Sequence, residues 1–276
     1  MPLKEHRADS VYGITRDVPL NYVARDSVDM SFVESLSLDK HIVIYGSSKQ
    51  GKTCLRKHCL LDKDYIIVQC NNRWTLESIF GQILKQAGYQ IVLSERKTQT
   101  GRNKIIASIS ASVFGLGARA GAETEEQNTL DVETKGLELD PSDVNDIISA
   151  LKRIGFERYI VVEDFHYLPV EVQKDFSVAL KAFHEASDLC FIVVGVWLEE
   201  NRLIVYNGDL TGRVLAVDAD EWRPEELLQV IDLGAELLNV EFHEDFKNDL
   251  RACADRLATF HICRFSERSN RLLIAH

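Results

Sequence analysis

The chain has 276 residues, of which 45% are hydrophobic and 27% charged, and 43 acidic against 32 basic residues give a formal net charge of −11. This length suits one large α/β domain, alone or with a small appended domain, and the acidic balance disfavours nucleic-acid binding by the surface as a whole. No apolar run reaches membrane-spanning length and the N-terminus lacks an uninterrupted apolar core, so we expect a cytoplasmic protein with no membrane partner.

The six cysteines are scattered along the chain and form no C-x-x-C pair. They are Cys54, Cys59, Cys70, Cys190, Cys253 and Cys263. We expect small buried thiols in a reducing compartment rather than zinc ligands or disulfides.

The first segments of the chain are a polar leader at residues 1–20 and a helix, predicted from about Ser27 to Leu38 because apolar residues recur there at helical spacing. A small apolar group lies before this helix, made of Val18, Pro19, Tyr22 and Val23. Arg25 is isolated in the sequence and gives no functional signal.

The next segment combines a short apolar strand, His41 to Tyr45, with a loop that fits the spacing G-x-x-x-x-G-K-[ST]. Its residues are Gly46, Ser47, Ser48, Lys49, Gln50, Gly51, Lys52 and Thr53. Glycines let the backbone curl so that successive N–H groups point inward, and the following helix adds its positive N-terminal end. In such a loop the lysine reaches the β- and γ-phosphates and the threonine hydroxyl binds Mg²⁺. The preceding strand and the following helical pattern argue against a chance match, so the segment predicts a nucleotide-phosphate site.

Strands and helices alternate after the loop, up to Gly88. KTCLRKHCLL continues as a helix, and residues 65–70 form a short strand that we expect to be buried on both faces, because its apolar run is nearly unbroken. Thr75 then caps an amphipathic helix that Gly88 ends.

Residues 90–140 break this alternation. Around 107–113 and again around 130–133, apolar residues alternate with polar ones at the period of a strand. We predict an inserted β-hairpin with a mobile tip, and an insert that merely tolerates extra length stays open as the alternative. A small basic cluster lies at the predicted hairpin base, consisting of Arg96, Lys97, Arg102 and Lys104.

The second half of the chain returns to strand–helix alternation, which predicts a parallel sheet with helices on both faces, a three-layer α/β fold. The predicted elements are a helix from Asp140 to Gly155, a strand from Tyr159 to Val162, a helix from Leu168 to His184, a strand from Cys190 to Val196, a shorter strand from Arg213 to Val217, and helices from Trp222 onward.

Two carboxylates, Glu163 and Asp164, end the buried strand YIVVEDF. Buried-edge carboxylates are costly unless a cation or hydrogen bonds compensate them, and parallel sheets bind ligands at the carboxyl ends of their strands. We therefore predict that Glu163 holds Mg²⁺, directly or through water, and that Asp164 orients or deprotonates the attacking water. The alternative is a carboxylate pair that caps the helix near Leu168.

The order of the two acids is unusual, because glutamate stands where an aspartate is usual and aspartate stands where a catalytic glutamate is usual. Aspartate reaches less far by one methylene. This inversion favours slow turnover, or binding without efficient turnover.

The sequence of phosphate loop, strands and carboxylate pair resembles the AAA+ superfamily, particularly the origin-recognition-like and the neighbouring STAND signalling ATPases. The resemblance spans roughly residues 20–260 and rests on 46–53, 159–164 and 209–214. It implies a sheet order of 5-1-4-3-2, a nucleotide-binding core at 21–220 and a small, incomplete helical lid at 221–276. It also implies ATP and Mg²⁺ as cofactors, with the apolar group before the first helix packed either over the adenine or in an ordinary core.

The segment DLTGRV resembles the L-x-x-R-[FV] box of these families, which implies that Arg213 is an arginine finger supplied to a neighbouring subunit. An ordinary surface arginine is the alternative. The polar sensor residue after CFIVVGV and the second arginine sensor of the lid have no clear counterpart in this sequence.

We expect a Mg-ATP-dependent conformational switch with slow ATPase activity that acts on a protein partner or on its own assembly. One alternative is a DNA-associated loader or remodeller, which the basic cluster favours and the acidic balance disfavours. The other is a nucleotide-binding scaffold with little hydrolysis.

Overall fold

Strands and helices alternate along most of the chain. The computed structural model describes residues 6–13, 17–97, 103–109, 136–197 and 202–248. Within these ranges the strands are β1 (His41–Tyr45), β2 (Tyr65–Gln69), β3 (Gln90–Lys97), β4 (Asn103–Ser108), β5 (Leu137–Leu139), β6 (Tyr159–Glu163), β7 (Phe191–Val194) and β8 (Val214–Asp218). The helices are α1 (Ala8–Val11), α2 (Asp26–Leu36), α3 (Lys52–Cys59), α4 (Leu76–Gln86), α5 (Val144–Arg153), α6 (Val170–Ala186), α7 (Arg202–Tyr206) and α8 (Pro224–Leu238).

The main sheet is five-stranded and mostly parallel, with the strand order β2-β6-β7-β1-β8. Renumbered along the chain, this is the predicted order 5-1-4-3-2, so the predicted fold class is confirmed. The parallel pairing of β2 with β6 ends with Gln69 opposite Glu163. This register places an amide side chain beside the strand end that carries the predicted carboxylates.

The chain divides into two compact units. The loop unit comprises residues 1–62, 194–201 and 215–276, and the carboxylate unit comprises 63–193 and 202–214. Each unit contains one of the two sequence motifs. The predicted core at 21–220 and lid at 221–276 have other boundaries than these units, and this division stays a prediction.

The loop unit is built around β1, whose five residues are all buried. Helix α2 contributes Val28 and Phe32 to its core, with exposed fractions of 1% and 0%, and packs against α3. The N-terminal segment packs on α8, where the Tyr12 hydroxyl donates to the carbonyl of Ile231 at 2.6 Å. A Cβ at Gly234 would lie 2.2 Å from Cζ of Tyr12, so glycine is needed for this close approach.

The carboxylate unit has an aromatic core between its helices and strands. Phe183 of α6 packs against Phe80 of α4 and Phe191 of β7, with ring centroids 5.6 Å and 4.7 Å away. Helix α4 begins as predicted, because the Thr75 hydroxyl accepts from the Ser78 N–H in a capping box. These contacts fix the helices that flank β2 and β6.

Burial of β2 on both faces, expected from its apolar run, is wrong. Ile66 and Val68 are buried, whereas Tyr65 and Ile67 are half-buried and Gln69 is exposed. As the outermost strand of the sheet, β2 has only one face fully covered, so its last side chain is free to reach toward the next strand.

The described part of the insertion consists of β-strands, which pair differently from the predicted hairpin. Strands β3, β4 and β5 form an antiparallel sheet in that order. Strand β4 overlaps the predicted strand at residues 107–113, while its partner β3 had no alternating signal, since its short apolar run is followed by polar and charged residues. Residues 110–135, which include the second predicted strand, lie outside the described residues.

The basic cluster therefore does not lie at a hairpin base. Arg96 and Lys97 end β3 and Lys104 lies near the start of β4, so they stand where the two paired strands are joined along the chain. Arg102 lies outside the described residues. The ammonium of Lys104 lies 3.7 Å from a carboxylate oxygen of Glu138. This contact offsets part of the positive charge.

The predicted C-terminal helices begin with α8, and a further helix starts at Glu244, with its described part ending at residue 248. Residues beyond it are outside the described part, so the completeness of the lid stays a prediction. In the part of the chain that the structure describes, no helix combines the length and apolarity needed to cross a membrane.

The cysteines among the described residues, Cys54, Cys59, Cys70 and Cys190, carry free thiols. Burial raises the pKa of the Cys70 thiol to about 12, with a contribution from Asp164, and raises that of Cys59 to about 11. A thiol with so high a pKa is a poor nucleophile at neutral pH.

Candidate phosphate-binding loop and carboxylate pair

The predicted phosphate loop leaves β1 with a strongly curled backbone. Gly46, Lys49 and Gly51 have positive φ angles of 134°, 67° and 82°. Gly51 is the N-cap of α3 and makes no side-chain capping bond. The first N–H groups of a helix have no partner within it, so this curled entry leaves donors for an anion.

The Lys52 ammonium is folded onto the loop itself. Its side chain is almost buried, with 8% of the residue exposed, and Nζ donates to the carbonyls of Gly46 at 2.9 Å and Ser47 at 2.5 Å. An ammonium held this way is pre-positioned beside the curled backbone, and phosphate oxygens would be stronger acceptors for it than carbonyls.

The Thr53 side chain lies in the first turn of α3 and is exposed. An accessible hydroxyl next to a nearly buried ammonium is a donor set that suits a Mg²⁺-bound phosphate. The residues of the loop therefore fit the nucleotide and the metal that the sequence predicts.

Two segments hold the first residues of the loop from either side. The Gly46 N–H donates to the carbonyl of Trp197 at 3.0 Å, and the Gly195 N–H donates to Ile44 at 3.1 Å. On the other side, the Ala219 N–H donates to the carbonyl of Tyr45 at 2.9 Å. The exit of β1 is thus fixed before the loop begins.

Asp220 is a loop contact that the sequence did not reveal. Its carboxylate accepts from the Ser47 N–H at 2.7 Å and 2.9 Å, and from the Ser47 hydroxyl at 2.7 Å. Its only sequence signal is its position just after a predicted strand, which many surface residues share.

Arg25 is the second residue whose role the sequence did not show. It is 1% exposed, its guanidinium donates to the carbonyls of Ala219 at 2.8 Å and Glu221 at 3.3 Å, and it lies 4.3 Å from the ring centre of Trp222. Asp29 lies 3.9 Å away and balances its charge. Burial lowers the pKa of Arg25, but a guanidinium stays charged at neutral pH. This arginine therefore anchors the connection between β8 and α8.

In the carboxylate unit, Glu163 ends β6 and Asp164 follows it in the left-handed region, with φ 56°. The Gln69 amide donates to Oδ2 of Asp164 at 3.1 Å, and the Cys70 N–H donates to the carbonyl of Glu163 at 2.9 Å. A left-handed non-glycine residue costs about 1 kcal/mol, and such outliers cluster at functional sites. Gln69 is thus a polar partner that sequence reasoning missed.

The alternative in which the carboxylates cap the next helix is not what the structure contains. The N-cap of α6 is Pro169, and it makes no side-chain capping bond. Asp164 precedes a short 3-10 turn, Phe165–Tyr167, without capping it through its side chain. His166 in this turn stacks on Tyr167, with ring centroids 4.2 Å apart, as a packed loop histidine would.

Arg213, the predicted arginine finger, is bound within its own unit. Its guanidinium lies 2.9 Å from a carboxylate oxygen of Glu185 and also donates to the carbonyl of Asp209. Lys181 binds the Asp209 carboxylate at 2.6 Å. Arg213 is therefore in a cluster of alternating charges, with about one third of its side chain exposed, 32%.

Comparison with known proteins gives a fold but no family. No protein-family model matches the chain, and the search of curated proteins gave no significant match. A similar solved structure is the Walker-type ATPase PABY2304 of Pyrococcus abyssi, with a TM-score of 0.53 and 12% identity over 89% of this chain. The chain spans 66% of the length of that protein.

A chain in the structure of Drosophila ORC bound to GC-rich DNA and Cdc6 aligns with a TM-score of 0.36 and 13% identity, over 89% of this chain and 41% of its own length. That score is too low to carry an argument, and at 12% identity the Pyrococcus protein shows the fold alone. Together with the strand order, the comparison leads to one conclusion: the chain has the α/β fold of a P-loop NTPase.

Proposed function

We propose that the chain binds Mg-ATP at the phosphate loop and acts as a slowly hydrolysing conformational switch of the origin-recognition-like or STAND kind. The observation that carries this proposal is the Lys52 ammonium, held at the curled loop by the carbonyls of Gly46 and Ser47. Adenine is the expected base, because the sequence has no N-K-x-D element for guanine.

On nucleotide binding, Lys52 would exchange its two carbonyl partners for phosphate oxygens, and the N–H groups at the start of α3 would donate to the same phosphates. The exposed Thr53 hydroxyl would bind the metal. The bound Mg-ATP supplies the phosphoanhydride bond and the neutralising charge of its cation. Binding requires little rearrangement of the protein, because the hydrogen-bond donors already lie at the loop.

Glu163 stands at the end of an apolar strand of the sequence, and parallel sheets bind ligands at the carboxyl ends of their strands. In this proposal Glu163 is the second metal ligand, and Asp164 holds the attacking water. The Gln69 amide fixes the Asp164 carboxylate, because it donates to one of the two oxygens and leaves the other as an acceptor. This contact supports a fixed orientation of the Asp164 carboxylate in the proposal.

Asp164→Asn is expected to lower the single-turnover rate of ATP hydrolysis by at least about 100-fold, since the amide cannot accept the proton of the water. Gln69→Ala is expected to lower the same rate by about tenfold, because the carboxylate loses the donor that orients it. Both variants should keep the affinity for Mg-ATP within about twofold of the wild-type value. Quenched single-turnover assays and calorimetric titration measure the two quantities separately.

Asp175→Asn, which removes an exposed carboxylate on α6, is the matched control and should leave the rate unchanged. If hydrolysis is rapid and the Asp164→Asn variant is almost as fast as the wild type, Asp164 does not hold the attacking water. ATP binding with no measurable hydrolysis in the wild type would support the scaffold alternative instead.

The trans role of Arg213 requires the ion pair with Glu185 to open when a neighbouring subunit approaches. We expect light scattering to show Mg-ATP-dependent assembly, and hydrolysis per subunit to rise with protein concentration. Arg213→Ala should abolish this rise while ATP affinity stays within about twofold, since arginine fingers act on the transition state. Lys181→Ala, in the same charge cluster, should preserve the rise. An unchanged monomer with ATP would show that Arg213 is a structural partner of Glu185.

A further inference from the structure

The Asp220 carboxylate holds the second residue of the phosphate loop with three contacts. The Ser47 N–H lies 2.7 Å and 2.9 Å from its two oxygens, and the Ser47 hydroxyl donates to Oδ2 at 2.7 Å. Hydrogen bonds to a charged acceptor are about twice as strong as neutral ones. Ser47 therefore has both of its donors committed to one carboxylate.

The close approach of this carboxylate places its own demand on the loop sequence. A Cβ at Gly46 would lie 2.6 Å from Oδ1 of Asp220, and Gly46 has a φ of 134°. Any side chain at Gly46 would push the carboxylate away from Ser47. The first glycine of the loop is thus needed for the Asp220 contact as well as for the turn.

Charges of opposite sign both act on Ser47 of the loop. Asp220 accepts from the Ser47 N–H, while the Lys52 ammonium binds the carbonyls of Gly46 and Ser47. If Lys52 turns toward a phosphate, these carbonyls lose their cation. Asp220 then becomes the charged side chain that still fixes the start of the loop.

Asp220 also begins a rigid link to α8. Its own N–H donates to Oδ1 of Asp218 at 2.8 Å, and Arg25 holds the carbonyls on either side of it, those of Ala219 and Glu221. Helix α8 starts four residues later, where the Arg223 N–H donates to Glu226 at 2.9 Å. A shift at the start of the loop would therefore change these hydrogen bonds and displace the first turn of α8.

We propose that Asp220 is a positioning residue for the phosphate loop and that it couples occupation of the loop to α8. The proposal rests on the proposed binding of Mg-ATP at this loop. It assigns to Asp220 two effects, a higher affinity for the nucleotide and a nucleotide-dependent change in the protection of α8.

The test uses the full chain, titrated with Mg-ATP and analysed by hydrogen exchange in peptides that cover residues 221–238. In the wild type, saturating Mg-ATP should slow exchange in these peptides. Asp220→Asn should bind Mg-ATP about tenfold more weakly and lose the exchange response at saturation. Ser47→Ala removes only the hydroxyl contact and should weaken binding by about threefold, with a reduced response.

Glu221→Gln is the matched control, because it removes the same charge one residue away on an exposed side chain. Loss of a negative charge near an anionic ligand should leave affinity unchanged or slightly higher, within about twofold. Asp220→Asn, by contrast, is expected to lower the affinity for Mg-ATP. If Asp220→Asn binds as tightly as Glu221→Gln, the positioning role is overturned.

Other outcomes separate this inference from the proposed function. Wild-type binding that is sensitive to Lys52→Ala, with no exchange response in α8, overturns the coupling alone. Wild-type chain that does not bind Mg-ATP overturns the proposed function and this inference together. If Asp220→Asn fails to fold by circular dichroism, Ser47→Ala decides the question, since wild-type affinity and a full response in that variant would contradict the proposal.

Discussion

Replacing Lys52 by alanine is expected to weaken Mg-ATP binding by at least about 100-fold. The reason is that the ammonium would form two charge-assisted hydrogen bonds to phosphate oxygens, of about 1.5–3 kcal/mol each, and the variant loses both. Lys52 is only 8% exposed and its ammonium already lies beside the loop, so little binding energy is spent on ordering it. Isothermal titration calorimetry of the folded variant measures the change.

Lys49→Asn is the matched control for this prediction. Lys49 has the same charge in the same loop but is exposed, and asparagine tolerates its left-handed φ of 67°. The control should bind Mg-ATP within about threefold of the wild type, as expected for an exposed charge. Equal binding by Lys52→Ala and the wild type would show that the loop is not the nucleotide site.

Gly195→Ala is expected to destabilise the fold by about 3 kcal/mol, through displacement of a buried indole. A Cβ at Gly195 would lie 1.5 Å and 2.3 Å from ring carbons of Trp197, and Trp197 is only 5% exposed. The indole must therefore leave its position. The backbone carbonyl of Trp197 accepts from the Gly46 N–H, so a displaced Trp197 would also weaken the hydrogen bond that fixes the end of β1.

For a chain of this size, a loss of 3 kcal/mol corresponds to a decrease in the melting temperature of roughly 6–12 °C. Circular dichroism measures this decrease, and a red shift of tryptophan emission in the folded variant would report the exposed indole. Gly81→Ala is the control, because a Cβ there meets nothing within 4 Å and alanine favours a helix. A melting temperature unchanged by Gly195→Ala would mean that the indole relaxes at no cost.

The predictions for Lys52 and Gly195 both concern the loop unit, in which the proposed switch would begin. A nucleotide shifts a conformational equilibrium only by its differential affinity for the two states. In the loop unit, Ser47, Asp220 and Arg25 form a continuous set of contacts from the phosphate loop to the start of α8. Such a set provides a route by which differential affinity could arise, because the loop cannot rearrange without changing the bonds at Asp220.

Most element positions could be predicted from local pattern. Strand β1 and the following loop, the capped helix at Thr75 and the strand ending at Glu163 lie where the sequence predicted them. Each depends on a short-range cause, namely an apolar run, a capping hydroxyl or glycine spacing. Helix α5 is an example of a shifted boundary, since it begins at Val144 after its Asp143 cap rather than at Asp140.

The insertion shows where local pattern fails. Strand β3 carries a brief apolar run followed by polar and charged residues, which single-sequence periodicity cannot distinguish from a loop. Its partner, β4, was recognised only at residues 107–108, within the predicted strand of 107–113. Pairing depends on which strands meet in space, so an alternating segment predicts a strand but not its neighbour.

The sequence by itself determined the fold class, and it predicted the phosphate loop with Lys52 and Thr53 and the carboxylates Glu163 and Asp164, because these features lie in contiguous residues. Only the tertiary structure decided the partners of those residues. Gln69 meets Asp164 across 95 positions, Ser47 meets Asp220 across 173, and Arg25 meets Ala219 across 194. A polar residue far along the chain gains its role from strand order and register, which bring side chains together without leaving any local signal in the sequence.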